Sequence, residues 1–161
     1  MASHWDSFFV AQVGGSAALT GLVFVALSIN LAQIVQDSML VGRAGEAVIV
    51  LVSPVTVGLA VLVPDVSLRT TGVLCGLAAL TAFVMVNVLI MRSRKSAQER
   101  PASEFRGRVV LAQLATLPAI VGAIVLVSGS DSGLYGIALG AAMGIIVGIL
   151  DAWVLLVEIL R

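Results

Sequence analysis

Few side chains in this sequence are of the types that perform chemistry, and those few lie far apart. The 161-residue chain has one histidine, His4, and one cysteine, Cys75. A nucleophile needs a base within hydrogen-bonding reach, and a structural zinc site needs about four ligands, so these two residues predict neither. The sequence also lacks a glycine-rich phosphate-binding loop. We therefore expect no enzyme activity, no catalytic residue, no cofactor and no metal site.

The remaining candidates are acids in the last apolar segment of the chain. Asp151 lies about 13 Å from the end of that segment, at 1.5 Å per residue of helix. If the segment spans a membrane, a carboxylate at that depth costs several kcal/mol when it is charged and unpaired. Asp151 is therefore expected to be protonated, paired or solvated by a cavity, and no basic residue is expected to face it.

Polar residues of the other apolar segments are predicted to surround Asp151 at a similar depth. In the first segment, Gln12 and Ser16 belong to a polar stripe that should turn toward the other helices. Two interpretations stay open: a structural network of interhelical hydrogen bonds, each worth about 0.6 kcal/mol, or a site for a proton or cation. The predicted intramembrane polar cluster consists of Asp151, Asn30, Gln33, Asn87, Gln113, Glu46 and Glu158.

The composition places these residues in a membrane. Apolar residues make up 60% of the chain and charged residues 11%, whereas soluble domains are about half apolar and a quarter charged. The mean hydropathy is +1.13. A bilayer core requires about 20 apolar residues per helix, and five segments qualify, which predicts an all-α bundle of five transmembrane helices in one domain over residues 1–161. The expected spans are 8–35, 44–63, 70–91, 109–127 and 134–160, with a basic loop at 92–108.

The distribution of basic residues predicts the orientation of the bundle. With five spans, eight cations fall on one side of the membrane and only Arg69 falls on the other. Cytoplasmic loops carry the Lys and Arg excess, so the N-terminus is expected outside and the C-terminus in the cytoplasm. The loop cations either set this topology alone or also contact lipid headgroups or a partner protein. These loop cations are Arg92, Arg94, Lys95, Arg100, Arg106 and Arg108.

Two prolines lie at matching positions in the second and fourth spans. An offset of 64 residues aligns Pro54 with Pro118 and brings several glycines into register, which favours a parallel repeat of two helix hairpins. Each proline removes one backbone N–H from the middle of its helix. This pattern is typical either of ordinary kinked membrane helices or of a hinge at Pro54 and Pro118.

Glycines recur at every fourth position of the last span and form a stripe about 120° wide on one helix face. Small residues at this spacing allow helix backbones to approach closely in lipid. The stripe predicts a helix-packing surface, and its partner is either another helix of this chain or a second subunit. The four glycines are Gly136, Gly140, Gly144 and Gly148.

The first span also carries a family resemblance. The residues that carry it are Trp5, 8–11, 17–26 and Ser28. This pattern resembles a family of small bacterial multi-span membrane proteins, some of which are labelled modulators of a membrane-anchored ATP-dependent protease. The likeness covers about the first forty residues. It implies a bacterial plasma membrane and carries no functional residue over to this chain.

These patterns together predict a small integral membrane packing or accessory subunit of the bacterial inner membrane. It is expected to contact membrane lipids, to assemble with itself or with a larger complex through the glycine stripe, and to bind no nucleic acid, since nine basic and nine acidic residues give no net positive charge. The alternative is a homo-oligomeric channel or a proton-coupled transporter that uses Asp151.

Overall fold

The computed structural model describes residues 2–96 and 102–159, and these residues form six helices. The predicted all-α fold is confirmed, and five of the helices are long and apolar enough to cross a membrane. The orientation of the bundle and the hairpin repeat stay predictions. The helices are α1 (Ala2–Ile29), α2 (Leu31–Ile34), α3 (Ser38–Val61), α4 (Leu68–Ser96), α5 (Ala102–Val127) and α6 (Gly133–Ile159).

Helices α3 to α6 form a closed four-helix bundle, and α1 lies on its outside. Within the bundle each helix packs on its two neighbours, in the order α3, α4, α5, α6 and back to α3. Helix α1 packs mainly on α3. Only 11% of its most apolar 18-residue stretch is buried, against 28% to 44% in the other four spans. The bundle core is built largely from alanine and valine, which suits close helix packing.

The first span ends earlier than expected. Continuous apolar sequence predicted a span over residues 8–35, but α1 ends at Ile29 and the short helix α2 follows. Asn30 lies between them, and its side-chain Nδ2 donates to the carbonyl of Ala26 at 2.8 Å. An asparagine amide that bonds to the preceding turn competes with continuation of the helix, and hydropathy alone does not report this competition.

The basic loop is much shorter than the expected segment 92–108. Helix α4 continues to Ser96 and α5 begins at Ala102, so most of the basic residues extend the two helices. The sequence between Met91 and Ser96 has no proline or glycine, and nothing there ends a helix. Pro101 directly precedes α5, a position compatible with a helix start.

Both prolines lie inside continuous helices, Pro54 in α3 and Pro118 in α5. A proline at position 54 leaves the carbonyl of Val50 without its usual donor four residues later. Gly144 of α6 packs at this point: a methyl group on Gly144 would lie 2.8 Å from Pro54 Cγ and 3.4 Å from the Val50 oxygen. The proline turn of α3 is therefore covered by α6. A hinge function for either proline stays a prediction.

Candidate functional site

The charged members of the predicted polar cluster gather around a cavity between α3, α5 and α6. The cavity has a volume of about 220 Å³ and lies near the ends of these helices that are predicted to be cytoplasmic. This volume is well above the roughly 10–15 Å³ that one water molecule needs. The residues that line it are Arg43, Glu46, Gly107, Arg108, Leu111, Asp151 and Val154.

Two ion pairs connect the three helices at this cavity. Arg108 of α5 donates to the carboxylate of Glu46 on α3, and Arg43 of α3 donates to the carboxylate of Glu158 on α6. Glu46 is buried, with 4% of its surface exposed, and the side chains of Arg108 and Arg43 are 17% and 15% exposed. Charges this well buried are costly to desolvate and therefore depend on their partners.

Asp151 lies in the same cavity, and the expectation that no basic residue faces it is wrong. Arg43 and Arg108 both line the cavity and lie close enough to act electrostatically on its carboxylate. Within the described residues, however, no side chain or backbone group donates a hydrogen bond to Asp151. The charge count treated both arginines as topology signals at the ends of spans. Helices α3 and α5 begin before these residues, at Ser38 and Ala102, so both arginines lie within helices, and both line the cavity.

Two amides of the predicted cluster form a separate contact between α4 and α5. Gln113 Nε2 donates to Asn87 Oδ1 at 3.2 Å, and Asn87 Nδ2 donates to the carbonyl of Phe83 at 2.7 Å. Neither residue lines the Asp151 cavity. Asn87 instead lies in a groove of about 350 Å³ on the outer side of α4. This pair acts as an interhelical hydrogen bond, as the structural interpretation of the cluster predicts.

The two amides of the first apolar segment lie away from Asp151. Asn30 bonds to its own helix through Ala26, and Gln33 in α2 is exposed. The prediction that they belong to the cluster is wrong, because α1 packs mainly on α3 and only weakly on α6. A helical wheel gives the face of a residue but not the helix that this face meets.

The polar stripe of α1 is buried only in its first half. Gln12 and Ser16 are buried, and Gln12 Nε2 donates to the carbonyl of Pro54 at 3.1 Å and to Ser16 Oγ at 3.0 Å. The Gln12 Oε1 atom is buried without a hydrogen-bond partner and lies against Gly58 of α3. Gln12 thus connects α1 to the proline turn of α3. The sequence predicts that this face of α1 turns inward, but it does not predict which helix the face contacts.

The four glycines of α6 face helices of the same chain. A methyl group on Gly140 would lie 2.6 Å from the backbone nitrogen of Ala119, and one on Gly136 would lie 2.8 Å from Gly122 Cα, both on α5. Gly144 and Gly148 face α3 instead, where a methyl group on Gly148 would lie 2.5 Å from Leu51 Cγ. The stripe therefore joins α6 to two neighbouring helices, and its surface is already occupied.

The basic residues of the expected loop separate into two groups. Arg108 belongs to the cavity, whereas Arg92 and Arg106 are exposed at the same end of the bundle. The side chains of Arg94 and Lys95 lie outside the described residues, and so does Arg100. Contact with lipid or a partner protein stays a prediction for the exposed arginines.

Comparison with protein families, with curated proteins and with solved structures finds no match to this chain. In residues 2–96 and 102–159, no group of three or more histidine, cysteine, aspartate or glutamate side chains could hold a metal ion.

Proposed function

We propose that this protein is a small accessory subunit of the bacterial inner membrane that assembles with itself or with a larger membrane complex. In this proposal the N-terminus is outside and the contact surface is the outward face of α1. One observation carries the proposal: among the residues that the structure describes, no atom outside α1 lies within 4 Å of a methyl group placed on Gly14, Gly15 or Gly21. These three glycines are open, in contrast to those of α6.

The residue spacing on this face suits a partner helix. Ala11 and Gly15, and likewise Gly14 and Ala18, are four residues apart and exposed. In lipid the association of helices depends on van der Waals contact between closely approaching backbones, and small residues at this spacing permit it. Glycine also lowers helix propensity by about 1 kcal/mol relative to alanine, so three open glycines are costly in a helix that only faces lipid. A partner helix on this face would offset that cost.

The partner surface differs from the one that the sequence favoured. The stripe on α6 meets α3 and α5 inside the same chain, so assembly through α6 would require the bundle to open. The face of α1 needs no such change. The resemblance of the first span to bacterial membrane proteins supports the bacterial membrane location and concerns the same helix.

A transport function through one chain is less well supported. Between the Asp151 cavity and the opposite ends of the helices, the described core consists mainly of apolar residues such as Val57, Ala123 and Ile137. Thr116, a buried polar residue at this level, bonds to the carbonyl of Ala112 at 2.7 Å within its own helix. A channel or transporter would therefore need its path between copies of the chain.

Native mass spectrometry in a mild detergent or in native nanodiscs tests the proposal. The natural chain is expected in a complex, either of several copies or with a second subunit. Gly15→Leu should release a folded monomer, because leucine prevents close approach on the open face. Ala142→Leu is the matched control, since Ala142 is exposed on α6 away from the glycine stripe. A monomeric natural chain, or a Gly15→Leu chain that assembles normally, would contradict the proposal.

A further inference from the structure

Four charged side chains line the cavity, and three of them, from three different helices, do not balance in charge. Glu46 on α3 and Asp151 on α6 each carry a carboxylate, whereas Arg108 on α5 carries the guanidinium that lies near both. Arg108 bonds to Glu46 and leaves Asp151 without a donor in the described part of the chain. The triad of Glu46, Arg108 and Asp151 thus has two possible negative charges and one positive charge.

The other charged groups around the triad are already engaged with each other. Arg43 on α3 also lines the cavity, and it donates to Glu158 on α6. These are the charged groups that the described parts of α3, α5 and α6 place at the cavity. As long as Arg43 pairs with Glu158, the triad has a surplus carboxylate.

A surplus carboxylate inside a membrane protein is costly, and a proton is the smallest species that removes its charge. The cavity of about 220 Å³ has room for water beside the carboxylates. Water in the cavity can deliver a proton, because a hydronium ion transfers it to a carboxylate oxygen and leaves a water molecule behind. Protonation then leaves one carboxylate and one guanidinium, which form a balanced pair.

We propose that the triad of Glu46, Arg108 and Asp151 binds one proton, which the two carboxyl groups share. When Glu46 pairs with Arg108, the proton is on Asp151. When Asp151 takes Arg108, the proton is on Glu46. The proton belongs to the pair of acids rather than to either residue, as is usual for strongly interacting groups. The proposal does not depend on the partner surface of α1.

Infrared spectroscopy of the protein in nanodiscs near neutral pH tests this charge balance directly. A protonated carboxyl group has a C=O stretch that is separate from the carboxylate bands. The natural chain should show the intensity of one buried protonated carboxyl. Asp151→Asn and Glu46→Gln should each abolish it, because a single carboxylate then pairs with Arg108. Arg108→Gln should raise it to the intensity of two groups.

Asp131→Asn provides the matched control, because Asp131 is exposed in the loop before α6 and should leave the signal unchanged. Circular dichroism and size-exclusion chromatography identify variants that do not fold, and the natural chain tests the proposal without any substitution. Absence of the protonated carboxyl signal from the natural chain would overturn the proposal. Retention of the full signal in folded Glu46→Gln would also overturn it, because the proton would then belong to Asp151 alone.

Discussion

The substitution Gly140→Ala tests whether α6 is held by backbone contact with α5. The added methyl group would lie 2.6 Å from the Ala119 nitrogen and 2.7 Å from the Ala119 Cβ. Favourable contacts between heavy atoms require about 3.5–4.0 Å, so the two helices must separate by about 1 Å at this point. Overpacking of this kind costs roughly 1–3 kcal/mol. Helix propensity offsets up to about 1 kcal/mol of this cost, so we expect Gly140→Ala to lower the free energy of unfolding by up to about 2 kcal/mol.

The control is the same chemical change on α1. In the described part of the chain, a methyl group on Gly21 meets no atom within 4 Å outside its own helix, so Gly21→Ala should be neutral or should stabilise α1 by up to about 1 kcal/mol through helix propensity. Reversible unfolding in detergent micelles, followed by circular dichroism, measures both variants against the natural chain. Equal stability of Gly140→Ala and Gly21→Ala would contradict this expectation, because it would mean that α5 and α6 do not touch at Gly140.

Three further predictions concern the cavity, the α1 contact and the orientation. The double variant Glu46→Gln with Asp151→Asn should destabilise the protein by more than the sum of the two single variants, because Arg108 then lacks both acids. The expected coupling free energy is about 0.5–3 kcal/mol. Additive changes in the free energy of unfolding would argue against a shared arginine. Gln12→Leu should lower the free energy of unfolding by about 0.6 kcal/mol and speed amide hydrogen exchange in the first half of α1, because the hydrogen bond from Gln12 to α3 is lost. Unchanged hydrogen exchange in this half of α1 would contradict the assigned contact. A C-terminal tag should be protected in intact cells and an N-terminal tag accessible; labelling of the C-terminal tag from outside would reverse the predicted orientation.

The membrane spans could be predicted because they depend on summed hydropathy, which tolerates local error. The boundary at Asn30 could not, because it depends on one side chain that bonds to Ala26 instead of continuing the helix. The same limit affected the basic segment: charge alone marked 92–108 as a loop, whereas the helices extend through most of it. Hydropathy reports which residues lie in lipid, and it does not report where a helix ends.

The cavity was only partly predictable for a related reason. The depth of Asp151 indicated a buried acid, and Glu46 was predicted at a similar level. Charge counting misses the roles of Arg43 and Arg108 because it treats residues near span ends as cytoplasmic charge, although Arg43 and Glu46 are three residues apart and share a helix face. Which helices meet is tertiary information. For this reason the sequence predicts Asn30, which follows the peripheral helix α1, in a cluster that it does not reach.

Site-specific photo-crosslinking in native membranes shows whether α1 carries the partner surface. A photoreactive side chain at Ala18 would project from the open face of α1, and one at Ala142 would project from the exposed side of α6. A partner surface on α1 predicts one defined product at position 18, in which this chain is joined to a second polypeptide, and no such product at position 142. The absence of a polypeptide product at position 18, or equal products at both positions, would contradict it.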